Sequence, residues 1–346
     1  MKTDTVHRRP YTPSFIHAFY AWLDRSPIPA WVLFLLLMPL VGLLQHVAAW
    51  SKGSLAPGQF NFDLGTAGYW LAGILLIGSY VLKGASLALD EYRPLLNVTE
   101  DEYARLRYRF VTIPNGPGTA WFLAGAAVGA LSGFSDMAVA PAIDYVLPQL
   151  RLGIWIFGTA LTLPFLYQVI RQLQQMRAFY AMPERVSPYN LRPLYGFSRY
   201  TAVLGITIFA YEALIPSILD STAFQSRIVL TGSLSLTPLI LLMFYLPFSG
   251  VHQRLVSEKE RLLEEVNARI ATMLERIHSA AFERQAYEDV ASMRAVFSTL
   301  NEERETIQDL RTWPWRPGTL TGFLSALFLP VLLVLVRELI SSLLGS

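Results

Sequence analysis

Glu212 is the acidic residue that stands well inside an apolar stretch long enough to cross a bilayer, and the sequence comes nearest to chemistry there. A carboxyl in that position usually faces the bundle interior and often serves function. It suits either a proton, ion or substrate role, or a structural hydrogen bond to a neighbouring helix. Counting about 1.5 Å per residue from the inner ends of the flanking stretches sets it level with Ser235 and Thr237. Thr231 and Ser235 are four apart and share one helix face. Glu212, Thr231, Ser235 and Thr237 are therefore the candidate intramembrane polar site, with Glu212 expected to point at that face. A lone carboxylate is thin for an ion-coupled transporter, which gathers several polar groups at the midplane.

Little else in the chain carries chemistry. His7, His17, His46, His252 and His278 form no HExxH pair, and no two stand at i, i+4. The carboxylate pairs Glu264–Glu265 and Glu302–Glu303 lie in charged helical sequence and read as solvated faces. There is no GxSxG elbow, no phosphate-binding loop and no dinucleotide fingerprint. The chain has no cysteine, which excludes disulfides, thiolate metal sites, iron–sulfur clusters and a cysteine nucleophile. No catalytic set, metal site or cofactor is expected, and an intramembrane enzyme is the weakest of the functional readings. Gln45 and His46 near one end of a span and Lys83 near the end of another are explained by snorkelling or interfacial hydrogen bonding.

The elements that would position Glu212 are apolar helices. Of 346 residues 53% are hydrophobic and 16% charged, with mean hydropathy +0.37, against about 25% charge in a soluble domain. A net charge of +2 gives no reason to expect a nucleic-acid partner. A spanning helix needs roughly 20 mainly apolar residues. Seven stretches qualify, near Pro29–Trp50, Ala67–Leu82, Pro117–Phe134, Leu152–Ile170, Thr201–Leu219, Ile228–Pro247 and Thr319–Val336. With the N-terminus inside, only Lys52, Arg151, Arg227 and Arg337 of the 28 basic residues fall outside, the asymmetry expected of cytoplasmic loops. Trp31, Trp50, Trp70, Trp121 and Trp155 fall near span ends, where the indole prefers the headgroup level. The polar, proline-containing stretch ahead of the first apolar run does not read as a cleavable signal.

Between the spans, three features stand out. Thr12 can cap a helix with Pro13 at its first position, and Phe15, Phe19, Trp22 and Leu23 then recur on one face. That face would lie either in the headgroup layer or against the protein's own spans. Thr99 and Glu102 form a capping-box pattern opening a helix to about Phe110, and Pro114 to Gly118 break the chain before the third span. Gly125, Gly129 and Gly133 give overlapping GxxxG patterns, which allow close backbone approach, within the chain or in a dimer. Pro39, Pro164, Pro216, Pro238 and Pro330 make five of the spans irregular.

The longest polar element runs from about Val251 to Arg311. It lacks Gly and Pro. Leu255, Leu262, Val266, Ile270, Met273 and Ile277 repeat at three-four spacing; Val290, Met293, Phe297, Leu300 and Ile307 repeat nearly in heptads. With a turn near Phe282 to Asp289, it predicts an antiparallel cytoplasmic hairpin with coiled-coil character.

The sequence thus predicts an all-α, polytopic integral membrane bundle of about seven spans. Its parts are a cytoplasmic N-terminal segment (1–28), a six-span bundle (29–250), the hairpin (251–312) and a C-terminal membrane segment (313–346). The plasma membrane is the expected location and the lipid bilayer the expected partner. The leading functional expectation is a non-enzymatic scaffold or signal-coupling protein acting through the hairpin, by a protein partner or self-association. The alternative is a channel or transporter with Glu212 in its pathway.

Overall fold

The structure is a computed structural model that describes residues 10–61, 64, 68–139, 148–183, 186–211, 226–282, 287–316, 318–326, 328, 332 and 336. Among the described residues regular structure is helical, apart from one isolated antiparallel bridge between Pro13 and Pro114. In chain order the helices are α1 (Phe15–Leu23), α2 (Ala30–Ser51), α3 (Tyr69–Tyr92), α4 (Glu100–Val111), α5 (Asn115–Val139), α6 (Pro148–Ala181), α7 (Tyr195–Phe209), α8 (Ser226–Phe282) and α9 (Tyr287–Gln308). Short 3₁₀ turns, Arg93–Leu95 and Arg192–Leu194, follow α3 and precede α7.

Four helices are long and apolar enough to cross a membrane, through Phe34–Ser51 of α2, Leu71–Leu95 from α3 onward, Asn115–Ser135 of α5 and Pro148–Ala181 of α6. Their outward faces suit lipid: α2 exposes Leu35, Leu36, Leu40, Leu43 and Leu44, and α5 exposes Leu123, Val128, Leu131 and Phe134. A row of bare leucines would be an aggregation hazard in water and is ordinary in hydrocarbon. The far part of the expected fifth span, with Glu212, and much of the last lie outside the described residues. Two prolines, Pro39 and Pro164, sit inside α2 and α6 without ending them.

α5 and α6 pack closely. A side chain on Gly125 would stand 2.8 Å from the Ala160 Cα, and one on Gly129 2.8 Å from the Ile156 Cα. These are backbone atoms, so the approach requires glycine there. At Gly133 the nearest atom is the movable Leu152 Cδ1, 2.7 Å away. The glycine row therefore faces α6 of the same chain, while the opposite face of α5 is bare.

α1 starts two residues later than its sequence suggests. Ser14 is the cap, its hydroxyl accepting from the His17 amide at 3.2 Å, because Pro13 is held in the bridge to Pro114 and the Ser14 amide donates to the Ile113 carbonyl at 2.9 Å. The helix has two distinct faces. Ile16, Tyr20 and Leu23 are buried in the bundle, whereas Phe15, Phe19 and Trp22 stay exposed. Leu23 thus belongs to the packed face. The Thr99–Glu102 capping box forms, with both reciprocal hydrogen bonds present. Helix α5 begins immediately after Pro114, so Gly116, Pro117 and Gly118 lie in its first turn and do not break the chain.

α8 continues unbroken for 57 residues, from within the apolar region to Phe282. Nothing interrupts it at Gly250, where the sequence suggests a boundary between bundle and hairpin. It ends where the turn is expected, and α9 starts at Tyr287. Val266 and Ile270 of α8 are buried with Ile307 of α9; Leu262, Phe297 and Leu300 are partly buried around them. Lys259 Nζ donates to the carbonyls of Gln308 and Leu310, so the two helices run antiparallel. A lysine at the last carbonyls of α9 also complements the negative end of that helix.

Candidate functional site

The densest constellation in the described residues lies where α3, α4, α6, α7 and α8 meet, at the end of the bundle from which the α8–α9 pair projects. Tyr92, Phe110, Phe179, Tyr180, Phe197 and Phe248 are all at most 3% exposed and form one aromatic cluster. Val251 and Leu255 of α8 are fully buried against it. The sequence brings them there because α6 runs two to three turns beyond its apolar part and ends in aromatic residues, while the 3₁₀ turns fold the chain back over it.

Helix ends explain the polar side chains in this cluster. The last carbonyls of a helix have no partner within it, and burying them unpaired is costly. At the end of α4, Gln168 Nε2 donates to the Phe110 carbonyl at 2.8 Å and Gln172 Nε2 to the same oxygen at 3.2 Å. Arg171 donates to the Thr112 carbonyl at 2.9 Å and to the Tyr11 hydroxyl at 2.7 Å. Tyr200 donates to Gln172 Oε1 at 2.6 Å. Gln168 and Gln172 are fully buried, and this network accounts for them. At the end of α6, the Tyr92 hydroxyl donates to the Phe179 carbonyl at 3.0 Å and Arg254 of α8 to the Tyr180 carbonyl at 2.7 Å. Two cations, Arg171 and Arg254, thus sit at helix C-termini, where the macrodipole favours them.

On its other side α8 meets an aromatic ladder. His252 stacks on Trp313 with centroids 3.7 Å apart, Trp313 on Trp315 at 4.4 Å, Trp315 on Phe244 at 5.0 Å and Phe244 on Phe323 at 4.2 Å. His252 Nδ1 also lies 3.0 Å from the Thr312 carbonyl. The segment returning from α9 is therefore clamped to the root of α8. The tryptophans there serve as stacking surfaces, a role their sequence position next to a span does not disclose.

The expected intramembrane site cannot be assembled from these contacts. Glu212 lies outside the described residues, and of Thr231, Ser235 and Thr237 only the helical backbone is described, along α8. Its neighbour Tyr211 is placed: it is buried against Gly73 of α3 and exchanges hydroxyl-to-carbonyl hydrogen bonds with Tyr69. His46 is buried and does not snorkel. Its Nε2 accepts from the Asn61 amide at 2.9 Å and its Nδ1 lies 2.8 Å from the Gly42 carbonyl, which places the proton on Nδ1. It pins the loop after α2 back onto that helix. Lys83 pairs with Asp24 at 2.7 Å.

The junction itself escapes a motif search. The available signals were Arg-Pro-Leu occurring twice, at 93–95 and 192–194, and two glutamines inside an amphipathic helix end. Both Arg-Pro-Leu turns are 3₁₀ and pack against each other. No family model, curated protein or solved structure matches this chain.

Proposed function

We propose that this protein is a non-enzymatic membrane scaffold that couples its bundle to a partner through the α8–α9 pair. The observation that carries the reading is the continuity of α8. One helix is buried in the bundle's end cluster through Phe248, Val251 and Leu255, and farther along in the pair through Val266 and Ile270. A helix without a break transmits rotation or tilt from one end to the other; a flexible joint would absorb it. A seven-span arrangement with the N-terminus and the pair on the cytoplasmic side, in the plasma membrane, completes the reading and is supported by the basic-residue asymmetry.

The pair offers a place for a protein partner or a second copy. A groove of about 510 Å³ runs along it, lined by Ala268, Thr272, Met273, Val296 and Leu300 with Glu265, Arg269 and Arg276 at its rim. An apolar floor with charged edges suits an amphipathic helix.

The test perturbs one end and reads the other. Inserting two glycines after Lys259 breaks the helix between the two packed regions. In the intact helix, Arg254→Gln raises hydrogen exchange in residues 300–308 as well as in 176–181. With the glycines present, the effect stays confined to 176–181. Equal spread in both proteins defeats the coupling reading. Ion or solute flux through liposomes containing the purified chain would favour a channel or transporter instead.

A further inference from the structure

A second concave surface adjoins the junction, between α1 and α4. It is a groove of about 600 Å³ whose lining includes His17, Trp22, Arg25, Arg107 and Tyr108. Its walls are fixed by backbone. The Tyr11 hydroxyl donates to the Arg109 and Thr112 carbonyls, the Tyr108 hydroxyl donates to the Tyr11 carbonyl at 2.8 Å, and the Asn115 amide donates to the Thr12 carbonyl at 3.0 Å.

The charges in and around it do not balance one another. Asp24 is engaged by Lys83, Glu100 by Arg93 and Glu102 by Thr99. Asp90 holds the Arg107 Nε at 3.2 Å and accepts from Tyr103, which leaves the terminal nitrogens of that guanidinium without a hydrogen bond among the described residues. Arg25 is exposed, and its side chain makes no hydrogen bond or ion pair among the described residues. His17 Nδ1 is buried with no hydrogen-bond partner among the described residues. Among the described residues the groove therefore presents two arginines that its carboxylates do not fully engage. Its aromatic rim is Trp22, part of the lining; Phe15 and Phe19 are exposed elsewhere on α1, and Trp31 is exposed at the start of α2.

We propose that this groove holds the phosphate headgroup of one anionic phospholipid, with its acyl chains lying along Phe15, Phe19 and Trp22. Arginine forks match phosphate oxygens, and exposed aromatic rings beside a spanning helix belong at the headgroup level. A free phosphate would satisfy the donors but leave the aromatic rim bare; an amphiphile answers both. Through its buried face, Ile16, Tyr20 and Leu23, α1 packs in one cluster with Phe34 of α2, a helix apolar and long enough to cross the bilayer, so a lipid can reach α1 by lateral diffusion.

The experiment places the full chain in nanodiscs containing phosphatidylcholine with a minority of phosphatidylglycerol. Retained lipid is then counted by native mass spectrometry after transfer to detergent. Both leaflets have the same composition, so the result does not depend on orientation. Wild type should keep one phosphatidylglycerol in preference to phosphatidylcholine. Arg25→Gln should lower that retention roughly tenfold, the scale of one charge-assisted contact. Because Arg25 makes no hydrogen bond or ion pair among the described residues, this variant should fold normally. Arg107→Lys keeps a charge opposite Asp90 while removing the fork and should also weaken retention. Arg304→Gln on α9 should change nothing, and millimolar inorganic phosphate should not displace the lipid. Undiminished retention by Arg25→Gln, equal retention of phosphatidylcholine, an equal loss in Arg304→Gln, or displacement by phosphate would each overturn the proposal.

Discussion

The guanidinium of Arg254, on α8, donates to the main-chain carbonyl of Tyr180, one residue from the end of α6, at 2.7 Å. The contact joins the helix that leaves the bundle to the helix on which the aromatic cluster is built. It also gives a cation to a helix C-terminus and a donor to an otherwise unsatisfied carbonyl. Replacing Arg254 with Gln shortens the reach and removes the charge. Hydrogen bonds to charged groups contribute about 1.5–3 kcal/mol, and partial exposure of Arg254 puts the expected loss toward the lower figure. Denaturant-induced unfolding in detergent, followed by near-ultraviolet dichroism of the cluster, measures it.

The α8–α9 pair should depend most on its best-buried residues. Ile307 is 1% exposed and Val266 2%, so Ile307→Ala should cost about 2–5 kcal/mol. Phe297 is only partly buried, so its replacement should cost less than the roughly 3–5 kcal/mol of a fully enclosed phenylalanine. Limited proteolysis ranks the two: Ile307→Ala should open the pair to cleavage first.

The glycine row predicts graded effects. Ala at Gly125 or Gly129 would meet α6 backbone, which cannot move aside, and overpacking of this kind costs about 1–3 kcal/mol. Ala at Gly133 meets a leucine methyl that can rotate and should be milder. Gly116, in the first turn of α5, has open space around it, and Gly116→Ala should be neutral or stabilising by up to about 1 kcal/mol. Thermal unfolding of the four single variants checks the order.

Docking of α1 should weaken in mild acid. Burial holds the His17 imidazole below its ordinary value of 6.5, with the Asp24 carboxylate pulling weakly the other way. A depressed folded pKa means that the unfolded segment binds the proton more readily. The contribution is therefore complete above pH 6.5, declines as the pH falls below it, and levels off below the folded pKa. Hydrogen exchange of residues 16–23, corrected for intrinsic rates, should rise between pH 7.5 and 5.5 in wild type. His17→Gln should show no such rise, and a flat wild-type profile would count against the assignment.

Topology is open to direct labelling, since the native chain has no thiol. A cysteine introduced at Gln285 should resist an impermeant maleimide in intact cells, and one at Ser54 should react. The opposite pattern would reverse the orientation and move the α8–α9 pair to the outer face.

Much of this architecture is local and so could be read in the sequence. Apolar runs of spanning length identify helices such as α2 and α6 because the bilayer sets their length and composition. The Thr99–Glu102 box acts across four residues and forms as its spacing dictates. The end of α8 at Phe282 and the start of α9 at Tyr287 follow from a lapse in the apolar repeat. Periodicity likewise marks Val266, Ile270 and Ile307 as the faces that meet, since a paired helix must bury one stripe.

Other features depend on what lies across the fold. Ser14 displaced Thr12 as the α1 cap because residues 13 and 14 are tied to 113 and 114, a hundred positions away. Gly250 reads as a boundary, yet α8 passes through it because Phe248, Val251 and Leu255 on either side are buried in one cluster. Buried Gln168 and Gln172 look misplaced until the carbonyls ending α4 arrive beside them. Helical periodicity reports which face of an element is apolar; it does not say whose carbonyls that face will meet. The pairing of Arg254 with Tyr180 and the open groove beside Arg25 were decided by tertiary packing alone.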